Sequence, residues 1–325
     1  MYDFTIFINL NKLKPMPFKK LNKLQEILLK FSDKKAYKTY KDLRNYYQKA
    51  VNIPTIDFTE NPSKKTLNFK HSGHLGDIMY AIPTMYALAG EAKINLFLQI
   101  NQAIESNGKH PLEGIGLNEK SISALKTLLL LQPKFNIIEL YNLDNQTIDY
   151  DLDLFRAFPL DYHKGNIARW YFNIFATSYN LSKPWLKVNP DESVKGKIVI
   201  ARSTRYNAPD VDYSFLQEYD NVVFVGLPEE YELMKKAISE LKYKKTDDFL
   251  SLARIIAGAD FFIGNQSFPF ALAEALKVPR ILESYYLCPN VIPEGENAYE
   301  FSFQPQFEFL VKKLSKAISD NTHKS

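Results

Sequence analysis

The chain has 325 residues, 46% of them apolar and 24% charged, with a formal net charge of +4. That is ordinary globular composition, enough for two cores, and it excludes a disordered or fibrous chain. A single cysteine, Cys288, excludes an intramolecular disulfide framework and any cysteine-rich zinc site.

The charge is unevenly placed, with 12 Lys/Arg against 4 Asp/Glu in residues 1–50. There Phe18, Leu21, Leu24, Leu28 and Phe31 recur at helical spacing with Lys19, Lys20, Lys23 and Lys30 between them. The pattern predicts a basic amphipathic helix. Two uses are open to it: packing on the main body with a solvated lysine face, or peripheral contact of residues 18–31 with an anionic membrane surface. Tyr37, Tyr40, Tyr46 and Tyr47 follow the lysines, but no RNA- or DNA-binding motif accompanies them, so no nucleic-acid partner is expected. The chain start lacks the pattern of a secretory signal, and no apolar run approaches the ~20 residues needed to cross a bilayer. A cytoplasmic protein is expected, at most peripheral at the inner face of a membrane.

From Thr66 on, short apolar runs alternate with helical periods, the pattern of an α/β fold with parallel sheets. Strands are predicted at Leu67–His71, Ile94–Ile100 and Phe135–Tyr141, and helices at Ile78–Leu88, Ile122–Leu131 and Asn166–Tyr179. Asp149-Tyr150-Asp151-Leu152-Asp153 has the Asp-x-Asp spacing of a metal site. Its alternation with apolar neighbours reads instead as a strand with one polar face. The five histidines, His71, His74, His110, His163 and His323, form no metal-ligand spacing. A turn-rich stretch from Ser182 to Lys197 precedes a fresh buried strand and is the expected domain boundary. The expected division is a basic extension over 1–65, a first α/β domain over 66–185 and a second over 186–325. In the second, strands are predicted at Ile198–Ala201, Asn221–Val225, Asp260–Ile263 and Arg280–Leu282, and helices at Glu229–Leu241, Asp248–Ala257 and Phe270–Leu276.

Two constellations carry chemistry. Ser72-Gly73-His74-Leu75-Gly76-Asp77 joins a strand to a helix. Its glycines permit close backbone approach, and the helix start offers unpaired N–H groups to an anion. Asp77 reads equally as a cap of that helix or as a functional acid. The second, Gly264-Asn265-Gln266-Ser267, follows a buried strand at its carboxyl end, where α/β sheets bind ligands.

The stretch from Asp247 to Leu276 resembles the nucleotide-sugar half-site of GT-B glycosyltransferases, specifically the ADP-heptose:lipopolysaccharide heptosyltransferase family. That pattern runs as a helix, a strand ending Gly-Asn or Gly-Val, then Asp-Ser/Thr-Gly and a histidine-containing helix start. Leu75-Gly76-Asp77-Ile78 with Ala81-Ile82-Pro83, Gly165-Asn166-Ile167-Ala168-Arg169-Trp170-Tyr171, and Phe224-Val225-Gly226-Leu227-Pro228-Glu229-Glu230 are similar in the same order. The likeness runs from Thr66 to Leu282 and leaves residues 1–60 outside.

The resemblance implies a GT-B-like fold, two Rossmann-like domains with parallel sheets facing across a cleft, and transfer of a sugar from a nucleotide donor to an acceptor hydroxyl. The acceptor would be a glycan, a lipid-linked saccharide or a protein. Asp77 matches the family's base, with His74 as competitor. Arg202, Ser203, Thr204 and Arg205 would meet the leaving diphosphate, where cations and hydroxyls stabilise developing charge. Gly226, Leu227, Asn265, Gln266, Ser267, Phe268 and Glu274 would line the donor site, Glu274 holding a ribose or being a plain exposed helix acid. Gly73, Gly76, His163 and Lys164 are candidates for the loop or acceptor side. No metal or other cofactor is expected. The chain departs from the family at Gln266, Phe268 and Ala271, where it commonly has Asp, Gly and His. ADP-heptose is therefore not carried over, and a non-catalytic nucleotide- or sugar-binding protein of this fold is the alternative.

Overall fold

The computed structural model describes residues 19–56, 64–102, 116–161 and 163–322; Phe18, His110 and His323 lie outside the described residues. Packing divides the chain into two units, Met1–Asp57 with Leu154–Asp161, and Phe58–Asp153 with Tyr162–Ser325.

In the first unit the basic segment forms two helices rather than one, α1 (Lys23–Ser32) and α2 (Lys34–Ala50). The Asn22 side chain accepts from the Gln25 N–H while the Gln25 side chain accepts from the Asn22 N–H, a reciprocal cap that starts α1. Asp33 ends it and caps α2 through the Lys35 and Ala36 N–H groups. Glu26 ties the pair together by accepting from Tyr40 and Arg44. The second helix escapes a periodicity argument because Tyr40 is its only buried residue. Burial of the apolar stripe of α1 does not occur: α1 has no buried residue.

The second unit holds both sheets, every strand pair parallel. The first has the order β3-β2-β1-β4, with β1 (Thr66–His71), β2 (Lys93–Leu98), β3 (Phe135–Leu140) and β4 (Tyr150–Asp151). Its helices are α3 (Leu75–Ala89), α4 (Glu119–Leu129) and α5 (Ile167–Ile174). The second has the order β10-β9-β8-β5-β6-β7, with β5 (Ile198–Ala201), β6 (Val222–Phe224), β7 (Lys242–Tyr243), β8 (Phe261–Asn265), β9 (Arg280–Glu283) and β10 (Ala298–Phe301). Helices α6 (Pro228–Lys235), α7 (Phe249–Gly258), α8 (Phe268–Leu276) and α9 (Gln304–Thr322) accompany it. This is the two-sheet α/β arrangement of a GT-B-like fold. Every residue of β5, β8 and β9 is buried, as central parallel strands covered on both faces require.

Three expectations are corrected. The strand predicted at 149–153 is only the two-residue β4, Tyr150–Asp151, followed by a 3₁₀ turn over Leu152–Ala157. The helix predicted to Tyr179 stops at Ile174, with Ala176 left-handed at φ 47° just beyond. The helix predicted to Leu241 ends at Lys235.

Pro83 lies inside α3 and has no N–H, so the carbonyl four residues earlier loses its helical partner. That carbonyl, of Met79, accepts from Trp185 Nε1 at 3.1 Å instead. The Trp185 N–H in turn donates to the Ala275 carbonyl of α8 at 3.0 Å. The stretch between the two sheets is thereby tied to a helix from each. Among the described residues no helix is long and apolar enough to cross a membrane.

Candidate functional site

The turn from β1 to α3 is braced from beneath. The Gly73 N–H donates to His71 Nδ1 at 2.8 Å, which requires an unprotonated Nδ1. The ring proton then sits on Nε2, which donates to the Tyr171 hydroxyl at 2.8 Å. Ser72 N–H donates to Asp153 at 3.0 Å. His71 is thus a neutral, buried support of the turn.

Asp77 occupies the third position of α3 and accepts from the His74 N–H at 3.2 Å, so the capping role is present. The residue is half-buried. A Cβ built on Gly76 would meet nothing within 4 Å, so packing does not require a glycine at this position.

The acids of the Asp-x-Asp run are engaged elsewhere. Asp149 accepts from Lys64 and the Asn68 N–H. Lys70 pairs with Asp151 at 2.9 Å and Asp153 at 3.4 Å. Burial works against the Lys70 charge, but hydrogen bonds and fields from both acids outweigh it and hold the ammonium above its ordinary range. Among the described residues no group of three His, Cys, Asp or Glu is placed to hold a metal. His163 and Lys164 are exposed on the turn before α5.

The second half of the site forms where β5, β8 and β9 end. Ala201 pairs with Gly264 and Asn265 with Glu283, so the carboxyl ends are level. Gly264 is needed there: a Cβ would come within 2.7 Å of the Phe262 ring and 2.9 Å of the Ala201 carbonyl. Glu283, fully buried, accepts from Arg202 Nε and Nη2 at 2.7 Å each, from the Ala208 N–H at 2.7 Å and from the Tyr213 hydroxyl at 2.9 Å. Asn265 accepts from the Ser203 N–H and donates to the Ser203 carbonyl, both at 3.0 Å. Two buried side chains therefore clamp the 202–208 loop.

That clamping sorts the two arginines. Arg202 is spent on Glu283 and lies over the Tyr213 ring at 4.7 Å. Among the described residues Arg205 makes no ion pair; burial lowers its pKa, opposed by the fields of Tyr206, Glu230 and Asp77. Asp77 and Arg205 are thus close enough to sense one another across the two sheets. A concavity of about 340 Å³ opens on the side of the second sheet, lined by Arg202, Ser203, Thr204, Asn207, Tyr213 and Glu230 among others, with neither Arg205 nor Asp77 in its lining. Glu230 back-bonds the Leu227 N–H with Oε2 at 3.0 Å, and burial raises its pKa. Gly226, at φ 141°, makes the turn in front of it, where a Cβ would lie 2.9 Å from that Oε2. Leu227 is partly exposed beside it.

Four expected donor residues face the protein. Gln266 donates to the Cys288 carbonyl at 2.7 Å and to Asn290 at 2.9 Å, and accepts from the Tyr285 N–H at 2.8 Å, fixing the loop after β9. Ser267 stands at the N-cap position of α8 without a side-chain cap bond, its hydroxyl donating instead to the Asn265 carbonyl at 3.3 Å. The Phe268 ring packs 4.5 Å from Phe249, and Ala271 is buried. Glu274 departs from both expectations: it is 2% exposed, and its carboxylate accepts from Lys277, from Arg280 and from the Glu294 N–H. It is neither a surface acid nor open to a ribose.

Sequence reasoning missed Glu283 and Glu230, and it also missed Tyr206 and Tyr285, whose rings lie 6.0 Å apart beside Arg205. The left-handed φ of 55° at Tyr206 has no sequence signal.

One carboxylate shared by two buried cations has a pH signature. Burial, with Arg280 repulsion against Glu274 attraction, lowers the Lys277 pKa to about 8. Below pH 8 the lysine is charged folded and unfolded; between about 8 and the unfolded value of 10.5 only the unfolded chain keeps the proton. Stability should therefore rise with pH, by of order 1–2 kcal/mol between pH 8 and 9.5. Urea unfolding across that range, on wild type and Lys277→Met, reads it: a rise of equal size in the variant would remove Lys277 as its source.

No family model matches the chain, and no curated protein matches it by sequence. Solved structures do. Heptosyltransferase WaaC of E. coli with ADP aligns over 77% of this chain and 99% of its own at 11% identity, with a TM-score of 0.51. ADP-heptose LPS heptosyltransferase II of E. coli aligns over 78% and 99% at 13% identity and 0.47. A glycosyl transferase family 9 protein of Veillonella parvula aligns over 78% and 89% at 14% identity and 0.43. The likeness to WaaC establishes a shared fold.

Proposed function

We propose that the protein is a glycosyltransferase that moves a sugar from a nucleotide-sugar donor to an acceptor hydroxyl with inversion at the anomeric carbon. The observation that carries this reading is that the field of Asp77, at the helix start after β1, reaches Arg205, a half-buried guanidinium that makes no ion pair among the described residues. A carboxylate within electrostatic reach of a cation from the other α/β half suits a displacement whose nucleophile must lose a proton while its leaving group gains negative charge.

In this reading Asp77 accepts the proton of the acceptor hydroxyl as that oxygen bonds to the anomeric carbon. The bond from that carbon to the diphosphate breaks on the opposite face. Arg205 takes up the developing charge, with the Ser203 and Thr204 hydroxyls beside it. Glu230, whose Oε2 holds the Leu227 N–H, offers its carboxylate to sugar or ribose hydroxyls in the concavity that Ser203 and Thr204 also line. Residues 66–185 serve the acceptor and 186–325 the donor, and no metal is given a step.

The solved relatives' donor, ADP-heptose, is not assigned to this chain. Gln266 and Ala271 stand where that family commonly has Asp and His, and here both serve internal packing. A different nucleotide-sugar is expected to bind best. A lipid-linked acceptor would place the enzyme at the cytoplasmic face of a membrane, the contact expected of residues 18–31. A non-catalytic nucleotide-binding protein is the second reading, favoured by the same substitutions.

The test is a thermal-shift and calorimetric panel of ADP-, UDP-, GDP- and CDP-sugars on wild type and Arg205→Ala. Loss of a charge-assisted contact to phosphate is worth about 1.5–3 kcal/mol, so affinity should fall roughly 10–100-fold. Equal binding by the variant would remove Arg205 from the donor site. Tightest binding of ADP-heptose across the panel would overturn the donor assignment.

A further inference from the structure

The apolar stripe of α1 faces solvent. Leu24, Ile27, Leu28 and Phe31 recur at i, i+3, i+4 and i+7 and are 68%, 52%, 60% and 79% exposed. The opposite side of α1 is the one engaged with α2, through Glu26 to Tyr40 and Arg44. A helix that turns its polar side inward and its apolar stripe outward is built for an external apolar phase.

Charge selects the occupant. Residues 19–56 carry ten Lys/Arg and three Asp/Glu. Two of those acids are already engaged, Glu26 by Arg44 and Asp33 as a helix cap. Lys19, Lys20, Lys23 and Lys30 flank the stripe. A second copy would set two strongly cationic surfaces against each other. The sequence of residues 1–18, with Lys12 and Lys14 against Asp3, is itself net positive and offers no acidic surface to match. An anionic bilayer supplies both an apolar phase and the opposite sign.

We infer that α1 docks on the surface of an anionic phospholipid bilayer, inserting Leu24, Ile27, Leu28 and Phe31 below the headgroups while the lysines pair with phosphates. This inference is independent of the glycosyl-transfer reading.

The experiment mixes the full-length protein with phosphatidylcholine vesicles holding roughly 30% phosphatidylglycerol or none, and measures co-sedimentation. Binding is expected only with the anionic lipid, and should weaken at about 0.5 M salt, where screening acts over about 4 Å. Leu28→Gln with Phe31→Gln keeps helix propensity and should lower the partition coefficient at least ~10-fold at unchanged melting temperature. Lys23→Glu with Lys30→Glu should lower it by roughly five-fold or more per residue. Binding that ignores lipid charge, or that survives the Gln variant, overturns the inference. So does absence of binding, which would leave the stripe to residues 1–18. A lipid-free dimer abolished by the Gln variant assigns the stripe to a second copy and overturns it too, as does capture of inorganic polyphosphate without vesicle binding.

Discussion

Replacing Asp77 by asparagine should lower sugar transfer by ~10²–10⁴-fold, the range lost with a general base, while nucleotide affinity stays within about two-fold of wild type. Asparagine keeps the size and an acceptor oxygen for the His74 N–H, so the start of α3 stays capped. What it removes is the carboxylate charge that a proton acceptor needs. The two roles of Asp77 therefore separate in one variant, with binding and melting temperature reporting the cap and transfer reporting the base. Arg205 supplies an internal check: its pKa is held up in part by Asp77, so the neutral variant should leave the guanidinium more dependent on its anionic ligand. Transfer at wild-type rate would reject Asp77 as base. A variant that loses stability together with nucleotide binding would make the residue a strut of the loop.

Where the sequence was readable, the reason is locality. Ile198–Ala201 and Phe261–Ile263 are unbroken apolar runs that only a strand buried on both faces accommodates, and the glycine-bearing turns after strands mark where ligands approach. Asp77 stood out beside a glycine-bearing turn, and Arg205 just past the carboxyl end of a buried strand. The sorting of roles within the site was not readable, because it depends on partners far apart in the chain. Arg202 and Arg205 look equivalent in sequence, yet Glu283, 81 residues away, occupies the first and leaves the second to a ligand. Glu274 carries the spacing of a surface helix acid, and only folding brings Arg280 and Lys277 onto its carboxylate. Gln266 is legible as a departure from a family pattern, but its hold on the Tyr285 N–H and the Cys288 carbonyl appears only with the loop in place. The chain beyond Leu282 contributed no expectation, although β10 and α9 complete the core through Phe301, Phe307 and Val311. The same dependence on partners explains α2, which buries only Tyr40 and so lacks an apolar period.

Glu283 is the strongest structural lever on the donor side, and Glu283→Ala should cost about 3 kcal/mol, lowering the melting temperature by roughly 4–6 °C. The carboxylate accepts four hydrogen bonds at full burial, so removing it strands a guanidinium, a tyrosine hydroxyl and a backbone N–H together. Orphaned buried donors, the charged one above all, account for the size of the effect. If that is the cause, removing Arg202 as well should relieve it: the Glu283→Leu, Arg202→Leu double variant should be more stable than Glu283→Leu alone, with a coupling of at least 1 kcal/mol in a double-mutant cycle, on the order found for residues in one network. Glu283 also fixes the loop that presents Ser203, Thr204 and Arg205, through Arg202 at one end and Ala208 at the other. Nucleotide affinity should therefore fall in Glu283→Ala even at temperatures where the protein remains folded, and recover only in part in the double variant, because the Ala208 anchor stays lost. Additive single effects on stability would show that the two residues act separately and that the loop is held by Asn265 alone.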